Sequence, residues 1–336
     1  MSKKVLITGI AGFLGSHLAL HHIAAGDEVI GLDDFSSSKR DSLHLATIKR
    51  LMVEKKLGEV YECDIAEQMQ VHYCLQKHAM TKSSAGIDLI YNFACPASPP
   101  RYQEIPTKTM MTCVAGTNNI IDVAMCNNSV VVHASTSEVY GDPDITPQVE
   151  SYRGCVNPYG PRACYDEGKR AAEALCYDSL FKYGVDVRLV RIFNTYGPHL
   201  DVTDGRVVSN FITQALYNKD ITIYGDGSQT RSFCYVDDLI RGIVSLGALS
   251  YNPKTPINLG NPNEFTIKEL ADVVMSLIPS SKSKFVWQSI PIDDPLQRKP
   301  DITIAKEILK WQPSVQLLEG LQKTIHYIQN VNVQFT

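Results

Sequence analysis

The sequence predicts an α/β fold in which a doubly wound parallel sheet is followed by a smaller α/β domain. Two patterns predict it. Short apolar runs alternate with helical segments over the first 194 residues, and this alternation is typical of a parallel sheet with helices on both faces. The first run also leads into the glycine series Gly9, Gly12 and Gly15, a feature of the first turn of a Rossmann sheet.

The N-terminal unit has the order strand, helix, strand. We predict a strand over 5–8, a helix over 16–25 and a strand over 28–32. Gly26 and Asp27 mark the end of the helix. Together these elements make one βαβ unit of the kind that begins a doubly wound sheet.

Later segments extend the same sheet. Further strands are predicted over 60–63, 88–93, 130–133 and 187–192, and helices over 107–127 and 165–183. Residues 36–58 are polar with helical patches. These elements complete a dinucleotide-binding domain over residues 1–194.

The pattern changes after about residue 195. We predict helices over 207–218, 237–248, 266–277 and 303–309 and a short strand over 221–224. We interpret residues 195–330 as mainly a substrate domain, packed over the carboxyl ends of the strands, with an approximate and interleaved boundary. Residues after about 330 are expected to be frayed.

Composition and charge exclude several classes of protein. The 336 residues are 44% hydrophobic and 20% charged, with a net charge of −4, which gives no reason to expect nucleic acid or an anionic membrane as a partner. We find no membrane-spanning segment and no signal peptide. Nine cysteines without a Cys-x-x-Cys pair favour a reducing cytoplasm over a disulfide framework or a zinc site. Histidines 17, 21 and 22 are interpreted as helix surface or core, so no metal is predicted.

The glycine turn predicts a pyrophosphate site. Glycines 9, 12 and 15 let backbone amides and a helix N-terminus approach phosphate oxygens closely. Asp33, at the end of the second strand, would accept hydrogen bonds from the adenosine ribose, and its charge favours NAD over NADP. Lys39 and Arg40 weaken that inference, because a basic group tolerates a 2′-phosphate. Asp64 and Ile65 are expected beside the adenine.

Tyr165 and Lys169 form a candidate catalytic pair. Their i, i+4 spacing puts the side chains about 5–6 Å apart on one helix face. A nearby ammonium lowers the pKa of a phenol, which suits it to act as a general base for a sugar hydroxyl. Such a pair also arises by chance on ordinary helices, but here it follows the glycine turn and the segment that contains Thr136.

Thr136 and Glu138 lie in the string Ala-Ser-Thr-Ser-Glu-Val-Tyr-Gly over 134–141. The Thr136 hydroxyl could bind the substrate oxygen that Tyr165 deprotonates, and Glu138 adds a carboxylate at a strand end. The alternative is turn chemistry, since Ser and Thr close turns and cap helices routinely. Together with Tyr165, these residues favour catalysis.

These elements resemble the extended branch of the short-chain dehydrogenase/reductases, which act on nucleotide sugars. Several longer strings are similar to the UDP-glucuronate decarboxylase (UDP-xylose synthase) family: Pro-Ala-Ser-Pro-Pro over 96–100, Gly-Pro-Arg-Ala-Cys-Tyr-Asp-Glu-Gly-Lys-Arg over 160–170, Arg-Ile-Phe-Asn-Thr-Tyr-Gly-Pro over 191–198, Asp-Gly-Arg-Val-Val-Ser-Asn-Phe over 204–211, Gly-Ser-Gln-Thr-Arg over 227–231 and Gln-Arg-Lys-Pro-Asp over 297–301. The resemblance runs from about residue 3 to 328.

The resemblance implies an activity and an assembly. The expected enzyme is a carboxy-lyase that converts UDP-glucuronate to UDP-xylose and CO2 through a 4-keto intermediate, with NAD regenerated in each turnover. It also implies a cytoplasmic homodimer formed by helices around 107–127 and 165–183. UDP-glucuronate is the expected small-molecule partner.

The resemblance further implies roles for individual residues. The catalytic residues are Thr136, Glu138, Tyr165, Lys169 and Arg298, the last near the substrate carboxylate. The cofactor-binding residues are Gly9, Gly12, Phe13, Leu14, Gly15, Asp33, Asp34, Ser36, Ser37, Asp64, Ile65, Phe93, Ala94, Cys95, Thr112, Ala134, Tyr165, Lys169, Thr195 and Arg206. The substrate-binding residues are Pro99, Tyr102, Asn119, Asn194, Arg231 and Arg298.

Four residues depart from the family pattern. Ile10 replaces a second glycine, which leaves the three spaced glycines intact. Cys95 replaces a serine near the cofactor, and Met111 and Cys113 replace a lysine and an asparagine. The lost lysine puts substrate affinity or choice in doubt at that point. Residues 41–60 also form a longer segment than is usual.

Other functions remain open on sequence grounds. A nucleotide-sugar 4,6-dehydratase is one, although Ser137 leaves a single acid where dTDP-glucose dehydratases have an Asp-Glu pair. A 4-epimerase is another, but it needs no acid at Glu138. A cofactor-binding regulator without activity is a third, and the intact set of Thr136, Tyr165 and Lys169 speaks against it.

Overall fold

The computed structural model describes residues 2–81, 86–290 and 297–330. Its strands in chain order are β1 (Lys4–Thr8), β2 (Glu28–Asp33), β3 (Gly58–Glu62), β4 (Leu89–Asn92), β5 (Val130–Thr136), β6 (Val187–Ile192), β7 (Thr195–Tyr196), β8 (Ile221–Tyr224), β9 (Thr230–Ser232), β10 (Cys234–Tyr235), β11 (Ile257–Leu259), β12 (Glu264–Thr266), β13 (Phe285–Gln288) and β14 (Gln297–Arg298).

Helices separate most of these strands. In chain order they are α1 (Phe13–Ala25), α2 (Leu43–Lys55), α3 (Gln68–Thr81), α4 (Pro99–Glu104), α5 (Pro106–Met111), α6 (Thr117–Asn127), α7 (Ala163–Tyr183), α8 (Val207–Leu216), α9 (Val236–Ala248), α10 (Ile267–Leu277), α11 (Thr303–Leu309) and α12 (Leu317–Asn330). A π-helical turn, Thr112–Gly116, joins α5 to α6, and a 3-10 turn, Ser137–Tyr140, follows β5.

The central sheet confirms the predicted fold class. Its seven strands run in the order β11-β6-β5-β4-β1-β2-β3, and all neighbours are parallel. The chain turns from one side of the sheet to the other between β1 and β4. In an open α/β sheet the carboxyl ends of the strands at such a switch point form a ligand crevice.

The sheet separates two apolar cores because successive side chains of a strand point to opposite faces. On β1, Val5 and Ile7 belong to the core that includes α1, α9 and the C-terminal helices, whereas Leu6 belongs to the core under α3, α6 and α7. All three side chains are fully buried. This two-sided burial explains why the strands appear in the sequence as continuous apolar runs.

The C-terminal half contributes both to the large sheet and to smaller ones. Strand β11 extends the central sheet beside β6, and α9 packs on β5, β6 and β11. The remaining strands make a β8–β13 pair, a β7–β10 pair and a three-stranded sheet in the order β12-β9-β14. Segments from both halves of the chain therefore meet above the carboxyl ends of the large sheet.

Several predicted elements differ from the observed ones. The single helix predicted over 107–127 is interrupted by the π-helical turn, where the chain passes closely over Ile65. The helix predicted over 16–25 begins three residues earlier, at Phe13. Helices α2, α3, α4 and α12 were not predicted, and α2 occupies much of the segment 36–58. The fraying expected after residue 330 lies outside the described residues.

Among the described ranges, no helix is both long and apolar enough to cross a bilayer.

The turn between β1 and α1 depends on the absence of a side chain at Gly15. A Cβ there would lie 2.1 Å from the carbonyl oxygen of Gly9, well inside van der Waals contact. We expect Gly15→Ala to lower the free energy of unfolding by about 1–3 kcal/mol, the usual effect of overpacking. Denaturant unfolding of the purified variant measures this difference.

Gly86→Ala is the matched control, because a Cβ at Gly86 meets no atom closer than 3.6 Å. It should change stability by no more than about 0.5 kcal/mol. Equal stability of the two variants would contradict the importance of the Gly9–Gly15 contact.

Candidate active site

A cavity of about 1330 Å³ opens at the carboxyl ends of the central strands. Of the residues predicted for the site, those that line it are Gly9, Gly12, Phe13, Leu14, Gly15, Ser37, Phe93, Cys95, Pro99, Ala134, Thr136, Glu138, Tyr165, Lys169, Asn194, Thr195, Arg206, Arg231 and Arg298. The fold therefore brings together, in one concave site, predicted residues that are up to 289 positions apart in the chain (298 − 9).

The predicted residues outside the lining are Asp33, Asp34, Ser36, Asp64, Ile65, Ala94, Tyr102, Thr112 and Asn119. Asn119 is the clearest case. Its side-chain amide donates hydrogen bonds to the carbonyl oxygens of Ile65 (2.9 Å) and Ala66 (3.1 Å). Asn119 therefore holds the loop after β3. It does not line the cavity in which the substrate is predicted to bind.

The glycine turn brings backbone donors to the cavity. Gly9 adopts φ +70°, and a Cβ on it would meet backbone atoms of Phe93 and Ala94 at 2.9 Å. Helix α1 begins at Phe13, and Gly12 offers no capping side chain. The first amide N–H groups of a helix have no partner within the helix, and here Phe13, Leu14 and Gly15 line the cavity. This end of α1 has the donors and the dipole that suit a pyrophosphate.

Asp33 holds this turn together. Its carboxylate accepts hydrogen bonds from the amide of Ala11 (2.9 Å), the amide of Phe35 (2.9 Å) and the hydroxyl of Ser38 (2.7 Å). Burial raises the pKa of Asp33, and these three donors act against that rise. The predicted hydrogen bonds to a ribose would add to a carboxylate that already organises the loop.

The bases near Asp33 all have acidic partners. Lys39 lies 3.2 Å from Asp201, and Arg40 forms an ion pair with Glu62. Lys108 lies 2.6 Å from Asp34 and 3.1 Å from Asp64. A 2′-phosphate on the ribose would have to compete with these carboxylates, so the arrangement disfavours a phosphorylated ribose.

A stack of histidines joins the glycine turn to the loop after β7. The ring of His199 lies 4.5 Å from that of His17 and 4.9 Å from that of His44, centroid to centroid. Burial lowers the pKa of all three, so the rings stack as neutral groups at neutral pH. Sequence reasoning took His17 for helix surface or core and missed the other two, because they meet only in the folded chain.

Tyr165 and Lys169 lie on the same face of α7, as predicted. Lys169 Nζ donates a 2.8 Å hydrogen bond to the carbonyl of Ala134 and lies 6.0 Å from the centroid of the Tyr165 ring. Burial dominates the pKa of Tyr165, and the Thr136 side chain acts against it by favouring the phenolate. The spacing on α7 thus places the phenol of Tyr165 and the ammonium of Lys169 on one face, and the end of β5 places the hydroxyl of Thr136 in the same cavity.

The pKa of Tyr165 moves in the direction opposite to the prediction. Burial raises it well above its usual value, and the nearby Cys95 thiol adds to that rise. Spacing alone indicated the ammonium as the dominant neighbour, but Lys169 is bonded to a backbone carbonyl and the phenol is buried. The burial cost of a charged phenolate outweighs the attraction of that ammonium.

Tyr102 packs flat against the phenol ring of Tyr165. The two rings are parallel within 2° and their centroids are 5.0 Å apart. The Tyr102 hydroxyl is buried and has no hydrogen-bond partner within the described chain. Tyr102, predicted to bind substrate, therefore acts first as the wall that fixes the ring plane of Tyr165.

Glu138 is held by two arginines. Arg298 Nη2 donates to its carboxylate at 2.9 Å, Arg298 Nη1 forms a second, shorter bond, and Arg162 Nη2 donates at 2.6 Å. Burial raises the pKa of Glu138, but Arg298 and Arg162 outweigh it and lower the pKa to about 2. Glu138 is therefore ionised at neutral pH. Sequence reasoning assigned no role to Arg162, although it lies only three residues before Tyr165.

Two thiols lie near Tyr165. Cys95 Sγ and Cys113 Sγ are 3.3 Å apart, and Cys113 lies on the π-helical turn against Gly168. Met111, the third departure in this region, is 47% exposed. The substituted cysteines thus form one pair, in which Cys113 is buried and Cys95 is half-buried and lines the cavity, whereas Met111 faces outward.

Metal ligands are absent from the described part of the chain, where no group of three His, Cys, Asp or Glu side chains could hold an ion. The donors around the cavity include amides, hydroxyls, guanidiniums and the ammoniums of Lys39 and Lys169, which suit phosphate, ribose and carboxylate oxygens.

A family model, curated relatives and solved structures all resemble this chain. The model of the "NAD dependent epimerase/dehydratase family" matches residues 5–260. UDP-glucuronic acid decarboxylase 1 of Xenopus tropicalis is 45% identical over 331 residues, covering 97% of this chain and 72% of that protein. UDP-glucuronic acid decarboxylase 5 of Arabidopsis thaliana is 46% identical, covering 95% of this chain and 87% of that protein.

A solved structure shares the whole fold. The UDP-glucuronic acid 4-epimerase of Bacillus cereus, in complex with UDP-glucuronic acid and NAD, superposes with a TM-score of 0.80 at 26% identity, covering 98% of this chain and 99% of that one.

Asp166 provides a pH test of the charge cluster around Glu138. Burial and the charge of Glu138 raise its pKa from 3.8 to about 7. Between these values the folded chain holds a proton that the unfolded chain has lost, so stability falls as the pH rises towards 7. We expect Asp166→Asn to remove this loss. The melting temperature of the variant, relative to wild type, should rise between about pH 4 and pH 7 and stay level at higher pH.

Asp178→Asn, an exposed change on the same helix, is the control and should follow the wild type through the pH series. Parallel melting curves for Asp166→Asn and wild type would contradict a raised pKa for Asp166.

Proposed function

The chain belongs to the NAD dependent epimerase/dehydratase family, and we propose that it is a carboxy-lyase that converts UDP-glucuronate to UDP-xylose and CO2. The observation that carries the proposal is the Arg298–Glu138 ion pair, which lines the same cavity as Tyr165, Thr136 and Lys169. The latter three suit oxidation of a sugar hydroxyl, and the guanidinium suits a carboxylate. The identity with proteins named UDP-glucuronic acid decarboxylase supports this substrate.

The residues of the glycine turn fit NAD. The amides at the start of α1 line the cavity without a capping side chain, and the loop ordered by Asp33 lies beside them. The acidic partners of Lys39 and Arg40 support NAD over NADP. When bound, NAD supplies a hydride acceptor and the positive charge of its nicotinamide ring, and the hydride returns to the sugar within each turnover.

Tyr165, Thr136 and Lys169 act at the C4 hydroxyl of the sugar. Tyr165 takes the hydroxyl proton, and Thr136 binds the same oxygen and stabilises negative charge on it. Because burial raises the pKa of Tyr165, the phenol is protonated at rest and needs positive charge nearby to act as a base. Lys169 supplies part of that charge and fixes the helix face against Ala134.

The 4-keto intermediate makes the loss of CO2 possible. A carbanion at C5 has no electron sink in the starting sugar. With a carbonyl at C4, the electrons of the bond between C5 and the carboxyl carbon pass into that carbonyl as CO2 leaves, and an enolate forms. A proton added at C5 and reduction at C4 then give the pentose, so no net oxidation occurs.

Arg298 and Glu138 act on the carboxylate end. Arg298 is 4% exposed and points both terminal nitrogens at Glu138, which holds its guanidinium in one orientation. With a pKa of about 2, Glu138 is a carboxylate throughout the neutral range. We assign it to orienting the sugar ring, or a water for protonation at C5, since it has no proton of its own to give.

The two halves of the chain divide this work in our proposal. Residues 1–194 mainly hold the cofactor, and residues 195–330 mainly hold the sugar nucleotide. Asn194, Arg206 and Arg231 line the cavity on the C-terminal side, and their amide and guanidinium groups suit nucleotide and diphosphate oxygens.

We also propose a cytoplasmic location. All nine cysteines are free thiols, and five of them are buried, as expected of a chain that works in a reducing compartment. Fractionation of cells that express the full chain would test this location, and recovery with membranes or in the medium would contradict it.

Turnover of UDP-glucuronate tests the reaction directly. With added NAD, the purified chain should release CO2 and yield a UDP-pentose, without accumulating NADH. Tyr165→Phe should reduce this turnover by at least about a hundredfold, because it removes the general base, while NAD binding is retained. Mass spectrometry of the products and release of labelled CO2 measure both effects.

Other products would point to the alternatives. Loss of water from a dTDP-, GDP- or UDP-hexose that carries a C6 hydroxyl indicates a 4,6-dehydratase, and formation of UDP-galacturonate from UDP-glucuronate indicates a 4-epimerase. If the chain turns over none of a panel of UDP-, dTDP- and GDP-sugars, the result indicates a binding protein. Each of these outcomes contradicts the decarboxylase assignment.

A homodimer through α6 and α7 is the assembly that we propose. Large side chains are exposed on these helices, including Met125, Tyr177 and Phe181, and the rings of the last two lie 4.4 Å apart. Exposed apolar side chains on two helices that pack together suit a twofold interface, in which each copy presents the same patch.

Light scattering after gel filtration tests this interface. Wild type should have twice the mass of the chain, and Tyr177→Asp with Phe181→Asp should shift it to the monomer, because charges replace an apolar contact. Tyr73→Asp, at an exposed tyrosine on α3, is the control and should remain dimeric. A monomeric wild type at micromolar concentration would exclude the dimer.

A further inference from the structure

Cys95 and Cys113 form a pair of thiols whose two members differ in access. Their sulfurs lie 3.3 Å apart in an S–H···S contact, and both cysteines are free thiols. Cys95 is half-buried and lines the cavity, whereas Cys113 is 1% exposed. A small oxidant that enters the cavity therefore reaches the sulfur of Cys95 first, and the sulfur of Cys113 is the immediate neighbour of that atom.

Each thiol belongs to a segment that packs on a different part of the site. Cys95 directly follows two residues whose amides donate 3.0 Å hydrogen bonds to the hydroxyl of Thr8, at the end of β1. Cys113 lies on the π-helical turn, and a Cβ on Gly168 of α7 would lie 3.1 Å from Cys113 Cβ. A bond between the two sulfurs would therefore tie the segment beside the glycine turn to α7, next to Lys169.

The pair gives up one proton more readily than an isolated buried thiol does. The hydrogen bond from Cys95 lowers the pKa of Cys113, and the ammonium of Lys169 adds to that fall, although burial opposes it. Burial raises the pKa of Cys95. The two sulfurs therefore share one thiolate, and either of them can carry it, because either can be the donor of the S–H···S contact. The thiolate is the form of cysteine that attacks an oxidant.

A second pair of neighbouring thiols serves as an internal comparison. Cys63 and Cys74 also interact with each other, but both are buried in the core under α3 and neither lines the cavity. Burial raises the pKa of both thiols. They are therefore protonated at neutral pH and shielded from an oxidant, in contrast to Cys95 and Cys113.

We propose that Cys95 and Cys113 are a redox-sensitive modification site, which hydrogen peroxide converts to a disulfide that lowers turnover until an added thiol reduces it. In a reducing compartment such a bond is transient and regulatory. The loss of turnover rests on the proposed function, whereas formation of the bond does not.

The oxidation takes place in two steps. The Cys95 thiolate attacks hydrogen peroxide, an S–O bond forms and the O–O bond breaks, and the released hydroxide takes up the proton that the thiol had lost. The product is a sulfenic acid on Cys95. The Cys113 sulfur then attacks the Cys95 sulfur, the S–O bond breaks, and hydroxide leaves as water with the proton of Cys113. Two thiols thus lose two electrons, and one peroxide becomes two waters.

Formation of the bond changes the shape of the site. The sulfurs must approach by about 1.3 Å from their separation of 3.3 Å, which moves the segment of Cys95, the π-helical turn, or both. The π-helical turn packs on α7 beside Lys169. A displacement of about 1 Å at a reacting group costs up to about a hundredfold in rate. We therefore expect the oxidised chain to turn over at least about tenfold more slowly.

Peptide mapping of the purified, NAD-loaded chain tests the site. After treatment with hydrogen peroxide at neutral pH, wild type should lose two hydrogens through a disulfide between Cys95 and Cys113, while Cys63 and Cys74 stay reduced. Turnover of UDP-glucuronate should fall at least about tenfold relative to the untreated chain. Dithiothreitol should restore both the thiols and the turnover.

Cys113→Ser removes the second thiol of the pair. With peroxide this variant should gain oxygen at Cys95 instead of forming a disulfide, and dithiothreitol should not reverse the sulfinic acid that results. Turnover of each variant is compared with that of its own untreated form. Cys126→Ser, at an exposed thiol on α6, is the matched control and should form the bond and lose turnover as wild type does.

A wild-type disulfide that excludes Cys113, or oxidation of Cys95 to a sulfinic acid without a disulfide, would overturn the proposal. A Cys95–Cys113 bond that leaves turnover unchanged would overturn it as well, because the bond would then regulate nothing. If Cys113→Ser does not fold, the peptide map and the turnover of wild type decide alone.

The two failures are distinguishable, because the disulfide is detected by mass without any substrate. A wild type that releases no CO2 from UDP-glucuronate before oxidation refutes the proposed function. A wild type that releases CO2 but forms no bond between Cys95 and Cys113 refutes only the modification site.

Discussion

The contact between the Gly9 carbonyl and Gly15 sets the geometry on which the site depends. It brings the start of α1 against the end of β1, at the point where the sheet changes direction, and any side chain at Gly15 would separate the two. The first amides of α1 line the cavity because of this approach. Asp33 then locks the turn from the neighbouring strand through Ala11, so one close backbone contact determines where a dinucleotide fits.

A second constraint is the burial of charge. Burial raises the pKa of Tyr165, whereas two arginines overcome burial at Glu138. The difference lies in the partners: Lys169 is bonded to the Ala134 carbonyl, but both arginines point at Glu138 directly. The same cavity thus favours a neutral phenol at Tyr165 and an ionised carboxylate at Glu138.

Much of this could be predicted from the sequence, and the rest could not for physical reasons. The strands of the central sheet appear as apolar runs because they are buried on both faces. The glycine turn could be predicted from the spacing of Gly9, Gly12 and Gly15. Helices α2 and α3 bury only three residues each, so their apolar signal is weak. Asn119 matched a family position, but its amide bonds to a loop. The contact between Arg162 and Glu138 could not be predicted, because it depends on the turn after β5 that brings the two side chains together.

The fold also shows how two of the departures from the family pattern are related. Cys95 and Cys113 are 18 positions apart in the chain, yet their sulfurs are 3.3 Å apart, so they constitute one local substitution. Both thiols favour the neutral phenol of Tyr165. The substitution therefore bears on how readily the Tyr165 phenol loses its proton.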